Sequence, residues 1–285
     1  MSSTPRILLV EGNLRTRCEL AEAHGTLSAS GRYAKSLGDV CPGLHIDKIF
    51  AAEPDCALPG GAEIASYDGV VIGGSGLHAY HDEINVTRQI DLVRELFKTG
   101  TPVLGSCWGM QIAVIAAGGV VAKCLAGREL GLARKIELTP EGQGHPLFEG
   151  KASVFDSPCI HLDEVTQIPD GATVLASNNH SNVQAIAFQG TDFWGVQYHP
   201  EFDLFHMARL ATLYSDIMIE GGFYRTVDEG KVLAAEMETL HANPARYDLS
   251  WKLGVDADVL DDGIRTLEIR NWVEKKVIPL MAARR

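Results

Sequence analysis

The sequence predicts a three-layer α/β fold: a mostly parallel central sheet between helices, followed by a C-terminal helical extension. Three observations predict it. Short apolar runs at residues 6–10, 44–50, 67–74 and 102–104 alternate with helix-like stretches, and that alternation marks strand–helix–strand units. The first run, Arg6-Ile-Leu-Leu-Val10, is continuously apolar, as a strand buried on both faces of a parallel sheet must be. Finally, Gly105-Ser-Cys107-Trp-Gly109 stands between a strand-like run and a small-residue helical run.

Length and composition bound the answer. A chain of 285 residues suits one large or two small domains and buries a substantial core. No apolar run approaches the ~18 residues of a membrane span, and residues 1–6 lack signal-peptide architecture. A net charge of −12 argues against sequence-independent nucleic-acid binding. Six cysteines, at 18, 41, 56, 107, 124 and 159, show no metal-binding spacing, so they read as reduced thiols of a cytoplasmic enzyme. No metal and no cofactor is expected.

Taken in order, the strand at 6–10 ends in Glu11-Gly12-Asn13, a turn at a strand's carboxyl end, where α/β proteins place their sites. A helix is expected over 15–23. The segment 24–43, rich in Gly, Ser and Ala, includes a second helical piece near 33–37 and suits either a lid or a decorated loop. Strands follow at 44–50 and 67–74, the latter running into Gly73-Gly-Ser-Gly76. Residues 85–99 put Val86, Ile90, Val93 and Phe97 on one helical face, with Gly100 as the stop. His78, His81 and Asp82 fall close together and read as a solvated rim rather than a metal site. Strands are expected at 120–124, 133–138, 152–155, 173–176, 183–188 and 193–197, with His180 exposed in a polar turn. A closing helix spans 202–219. The division into residues 1–222 and 223–285 falls at Gly221-Gly222, and the second part carries helices at 228–241 and 256–281.

Strand, tight turn and helix around a glycine-flanked residue make a nucleophile elbow. The helix end there favours the thiolate of Cys107. Downstream, Tyr198-His199-Pro-Glu201 ends a strand. A cysteine nucleophile needs a base, and the base needs an acceptor to orient it. Cys107, His199 and Glu201 supply those three roles.

These motifs, Gly105-x-Cys107-x-Gly109-x-Gln111 and Gly195-Val-Gln-Tyr-His199-Pro-Glu201, resemble those of the class I, triad-type glutamine amidotransferases. Gly73-Gly-Ser-Gly76 looks like that family's oxyanion loop. The resemblance covers roughly residues 6–202 and implies a flavodoxin-like sheet. It implies that the amides of Gly74 and Trp108 form the oxyanion hole. It also implies that Gly76, Gln111, Ile160, Leu162 and Asp163 border the substrate, and that an acidic residue near Glu129 borders the pocket; structural ion pairing is the preferred role of Glu129 itself. Two positions depart from the pattern: Ser75 replaces a proline, and Leu162 replaces a glycine where backbone approaches the ligand.

The implied chemistry is hydrolysis of glutamine's side-chain amide through a γ-glutamyl thioester on Cys107. Similarity to stand-alone subunits related to GMP synthase implies delivery of ammonia to a separate synthetase. The alternative is a free-standing γ-glutamyl amide or peptide hydrolase, which the departures at Ser75 and Leu162 favour. A non-catalytic binding or regulatory protein is disfavoured by the intact Cys107, His199 and Glu201. Self-association into a homodimer is left open.

Overall fold

The computed structural model describes residues 4–284; Met1–Ser3, part of the stretch read for a leader, and Arg285 lie outside the described residues. In chain order the first half carries β1 (Arg6–Glu11), α1 (Arg15–Ala23), α2 (Ala29–Val40), β2 (His45–Phe50), β3 (Gly69–Ile72), α3 (Ile84–Thr99), β4 (Val103–Ser106) and α4 (Trp108–Ala116). There follow β5 (Val120–Lys123), β6 (Glu129–Leu138), β7 (Val154–His161), β8 (Asp163–Gln167), β9 (Ala172–Ser177), β10 (Ala185–Phe188) and β11 (Phe193–Val196).

β1 organises the sheet. Its side chains alternate between faces, and Ile7, Leu8, Leu9 and Val10 are all buried, so both faces need cover. β2, β1, β3, β4 and β11 lie side by side in parallel, and β10, β9, β6 and β7 extend the sheet antiparallel. The order of the parallel half is that of flavodoxin-like sheets. β5 and β8 form a separate two-stranded ribbon.

On one face, Leu8, Val10, Val70 and Ile72 pack with Val86, Ile90 and Val93 of α3 and with α4. α3 stops at Gly100, whose φ of 64° is the left-handed cap that glycine accommodates. On the other face, Ile7, Leu9, Val71 and Leu104 pack with Tyr33 and Leu37 of α2. Ile269, Trp272, Val273 and Val277, far beyond Gly222, belong to that same cluster. A Cβ on Gly69 of β3 would lie 2.6 Å from the Trp272 ring, so the indole packs directly on the strand.

Several elements differ from expectation. β6 begins at Glu129 rather than 133 because its first residues pair with the end of β7, Glu129 opposite His161. The closing helix is two, Leu204–Leu213 and Ser215–Glu220, broken at Tyr214 (φ −110°, ψ 39°). Between the helices expected at 228–241 and 256–281 lies a further one, Tyr247–Leu253. The helix expected over 256–281 is a chain of short helices, with a π-helical turn at Val273–Val277. His180 is half-buried rather than exposed, its Nε2 3.7 Å from the Cys124 sulfur. No helix among the described residues is long and apolar enough to cross a membrane.

Candidate active site

β4 and β11 run in register, Gly105 opposite Gly195 and Ser106 opposite Val196, so their carboxyl ends bring Cys107 and His199 to the same edge. Cys107 has φ 48° and ψ −100°, a conformation strained for any residue with a side chain. Its N–H donates to the Val196 carbonyl at 2.7 Å, which anchors the turn to the neighbouring strand. The flanking glycines are sterically required. A Cβ on Gly109 would lie 2.4 Å from the Ile72 carbonyl oxygen, and one on Gly105 would lie 2.8 Å from the Gly109 carbonyl carbon.

His199 is fixed from three sides. Its N–H donates to the Pro158 carbonyl at 2.8 Å, its Nδ1 meets Glu201 Oε1 at 2.7 Å, and Phe202 stacks on its face with centroids 4.0 Å apart. Burial works against a charged ring, but the Glu201 carboxylate and the adjacent Cys107 thiol outweigh it and raise His199 to about 10. Glu201 is itself fully buried. Behind it, the buried Arg32 donates from Nη2 to the Glu201 carbonyl at 2.8 Å and to Asp203 Oδ2 at 2.7 Å. The guanidinium thus ties α2 to the turn that carries the carboxylate.

The loop 73–76 closes over the other side of the imidazole. A Cβ on Gly74 would lie 2.7 Å from His199 Cε1, so only glycine allows this approach. Where the resemblance leads one to expect a stiffening proline, hydrogen bonds hold the loop instead. The Ser75 hydroxyl donates to the Gly12 carbonyl at 3.0 Å and accepts from the Leu77 N–H at 3.2 Å. Asn13 donates to the Gly74 carbonyl at 3.2 Å and accepts from the Gly76 N–H at 3.0 Å. Asn13 is in turn held by the buried Glu11, which also accepts from Ser30 at the start of α2. Sequence reading marked Glu11–Asn13 only as a site-bearing turn; the pairing across 61 residues carries no local signal. The Trp108 indole is buried and donates to Gln89 Oε1 at 2.9 Å.

These groups line a cleft of about 260 Å³. Gly74, Gly76, Cys107, Ile160 and His199 line it, together with Asn13, Arg17, Arg128, Phe202 and Leu210. The Ile160 carbonyl lies 4.0 Å from the Cys107 sulfur. Gln111 and Asp163 reach the cleft through other residues. Gln111 Nε2 donates to the Asp163 carbonyl at 3.0 Å and to Gln197 Oε1 at 3.3 Å. The Asp163 carboxylate meets His78 Nδ1 at 2.6 Å and accepts from the Tyr80 hydroxyl at 3.2 Å, and His78 lines the cleft. Leu162 presents its carbonyl to the Cys124 N–H at 2.9 Å, a backbone tie between β8's entry and the end of β5. Glu129 is a structural hydrogen-bond acceptor: it meets His161 Nε2 at 2.8 Å and also accepts from Asn178 and Gln184.

Residues 56–210, more than half of the chain, match the family description "Glutamine amidotransferase class-I". The chain is 35% identical to a γ-glutamyl-L-1-hydroxyisopropylamide hydrolase of Pseudomonas sp, covering 96% of this chain and 94% of that one. It is 38% identical to a glutamine-hydrolysing GMP synthase of Wolinella succinogenes, but over only 47% of this chain and 24% of that enzyme. A glutamine amidotransferase of known structure from Thermotoga maritima superimposes with a TM-score of 0.71, covering 96% of this chain and 99% of that one at 17% identity. The chain belongs to the class-I glutamine amidotransferase family.

Proposed function

We propose that the protein hydrolyses γ-glutamyl amides of small organic amines, without a synthetase partner. One observation carries this reading: the similarity to the Pseudomonas γ-glutamyl amide hydrolase runs through the C-terminal helices, whereas the similarity to GMP synthase stops at about half of the chain. The site geometry supplies the chemistry. The Cys107 sulfur, its proton held on His199, attacks the γ-carbonyl carbon, and the amides of Gly74 and Trp108 stabilise the oxyanion that forms. As the C–N bond breaks, His199 gives its proton to the departing nitrogen, leaving a γ-glutamyl thioester. Water then attacks the thioester while His199 takes its proton, and as glutamate leaves the Cys107 sulfur is left paired with the recharged imidazolium, as at the start. The half-buried Arg128, with no carboxylate partner among the described residues, and His78 give one end of the cleft the polarity that a glutamyl head needs. Glutamine hydrolysis coupled to a synthetase remains the second reading, favoured by the GMP synthase similarity.

The test is glutamate release by the purified chain from γ-glutamyl alkylamides and from glutamine. The expected result is rapid, partner-independent turnover of the alkylamides. Inert alkylamides, with glutamine hydrolysis appearing only when a synthetase is added, would establish the second reading.

A pH profile examines the roles of His199 and Glu201. The carboxylate keeps the imidazolium charged up to about pH 10, so kcat/KM falls on the alkaline side as the ring loses its proton near that value. Glu201→Gln removes the charge that raises the pKa, so the alkaline limb moves down towards the ordinary imidazole range. An unmoved limb would show that His199 is not the group titrating there.

A further inference from the structure

Resting on the γ-glutamyl hydrolase reading, we infer that the cleft has a dedicated leaving-amine subsite, an apolar wall formed by Ala21, Leu27, Phe202 and Leu210. It takes a small, uncharged alkyl group on the amide nitrogen. The chemistry decides which side of Cys107 receives the amine, because the nitrogen that departs must face the imidazole that protonates it. On that side His199 is stacked against Phe202, and Phe202 leads into the helix Leu204–Leu213, which carries Leu210. The Thr26 hydroxyl and His206 Nδ1, 2.6 Å apart, fasten the turn after α1 to the same helix, and this sets Leu27 and Ala21 on the wall.

Ammonia has no carbon to place against such a surface. An alkylamine does, and each methylene buried there gains by leaving water. The charge on this wall is also suppressed. Burial and the nearby Arg32 guanidinium lower His206 to about 3, so its ring is neutral beside the departing amine. The size is bounded too: about 260 Å³ for the whole cleft lies just below the roughly 300–1,000 Å³ of sites for drug-sized ligands. A glutamyl head plus a branched alkyl group of a few carbons suits that space, and a longer peptide does not. Arg17, which also lines the cleft, is laid over the Tyr214 ring at 4.9 Å and lies close against Gly76. It marks the mouth of the cleft and supplies the rival element, a guanidinium that would grip a leaving group bearing a carboxylate.

The test compares kcat/KM for glutamine, γ-glutamylisopropylamide and γ-glutamylglycine in the full chain and in three variants. The parent should prefer the isopropylamide to glutamine by roughly tenfold or more, the discrimination a few apolar contacts provide. Leu27→Asn, at a partly exposed position where folding is spared, and Ala21→Leu, which fills the wall, should each bring the isopropylamide-to-glutamine ratio of kcat/KM down towards one. Arg17→Gln should leave the isopropylamide rate unchanged. Equal rates for all three substrates, or a preference unmoved by Leu27→Asn and Ala21→Leu, would overturn the subsite while the hydrolase reading stands. Preference for γ-glutamylglycine that disappears in Arg17→Gln would replace the apolar wall with a carboxylate clamp. No turnover of either substituted amide would overturn both readings together.

Discussion

Cys107→Ala should turn over no γ-glutamyl amide above background, a loss of roughly 10⁴–10⁶-fold, as when the nucleophile of a catalytic triad is removed. The reason is chemical rather than structural. No other cysteine lines the cleft except Cys18, and burial, aided by the charge of Glu11, pushes its thiol up to about 12, so it is protonated at neutral pH. The variant should melt close to the parent. Alanine retains the Cβ that makes φ 48° costly, so the strain of the turn is neither relieved nor increased. Steady-state kinetics with a thermal melt on the same preparation separates the effects. Parental melting with persistent turnover would require a different nucleophile.

Trp272→Ala should destabilise the fold by roughly 3–5 kcal/mol, the range for emptying a buried aromatic site. Trp272 is fully buried and packs directly on Gly69 of β3, with Val277 alongside. β3 leads straight into the loop 73–76, so this indole supports the strand that presents Gly74 to His199. Glycine at 69 cannot refill the space, and the rigid strand cannot move into it. Chemical denaturation of parent and variant measures the difference. A change below about 1 kcal/mol, within the range of ordinary surface substitutions, would mean that the C-terminal helices are not part of the sheet's core.

The elbow was legible in sequence because its geometry constrains residue types within five positions. Cys107 can adopt its conformation only where the residues at 105 and 109 lack side chains, and those two glycines stand in the chain. The parallel strands were legible for a similar reason, since β1 and β3 are too apolar to sit anywhere but between two layers. What escaped depends on partners distant in sequence. Nothing near Asn13 announces that it ties down the loop at Ser75, and nothing near Arg32 announces Glu201. The apolar pattern of 202–219 runs unbroken through Tyr214, so the break between the two helices has no local signal. The C-terminal segment shows a helical pattern, yet its short helices are set by the surface they cover, and Trp272 reads as a core residue only once Gly69 is seen beneath it. The pocket wall was missed likewise: Phe202 and Leu210 fall within the expected closing helix, and their contact with the cleft appears only in three dimensions.

The central claim is that a γ-glutamyl group passes through Cys107. Rapid acid quench of the enzyme with a γ-glutamyl alkylamide, followed by peptide mass mapping, tests it most directly. The expected result is a γ-glutamyl adduct on the peptide containing Cys107, formed with amine release and decaying as glutamate appears. Steady turnover with that peptide unmodified throughout, or with the adduct on another residue, would contradict it.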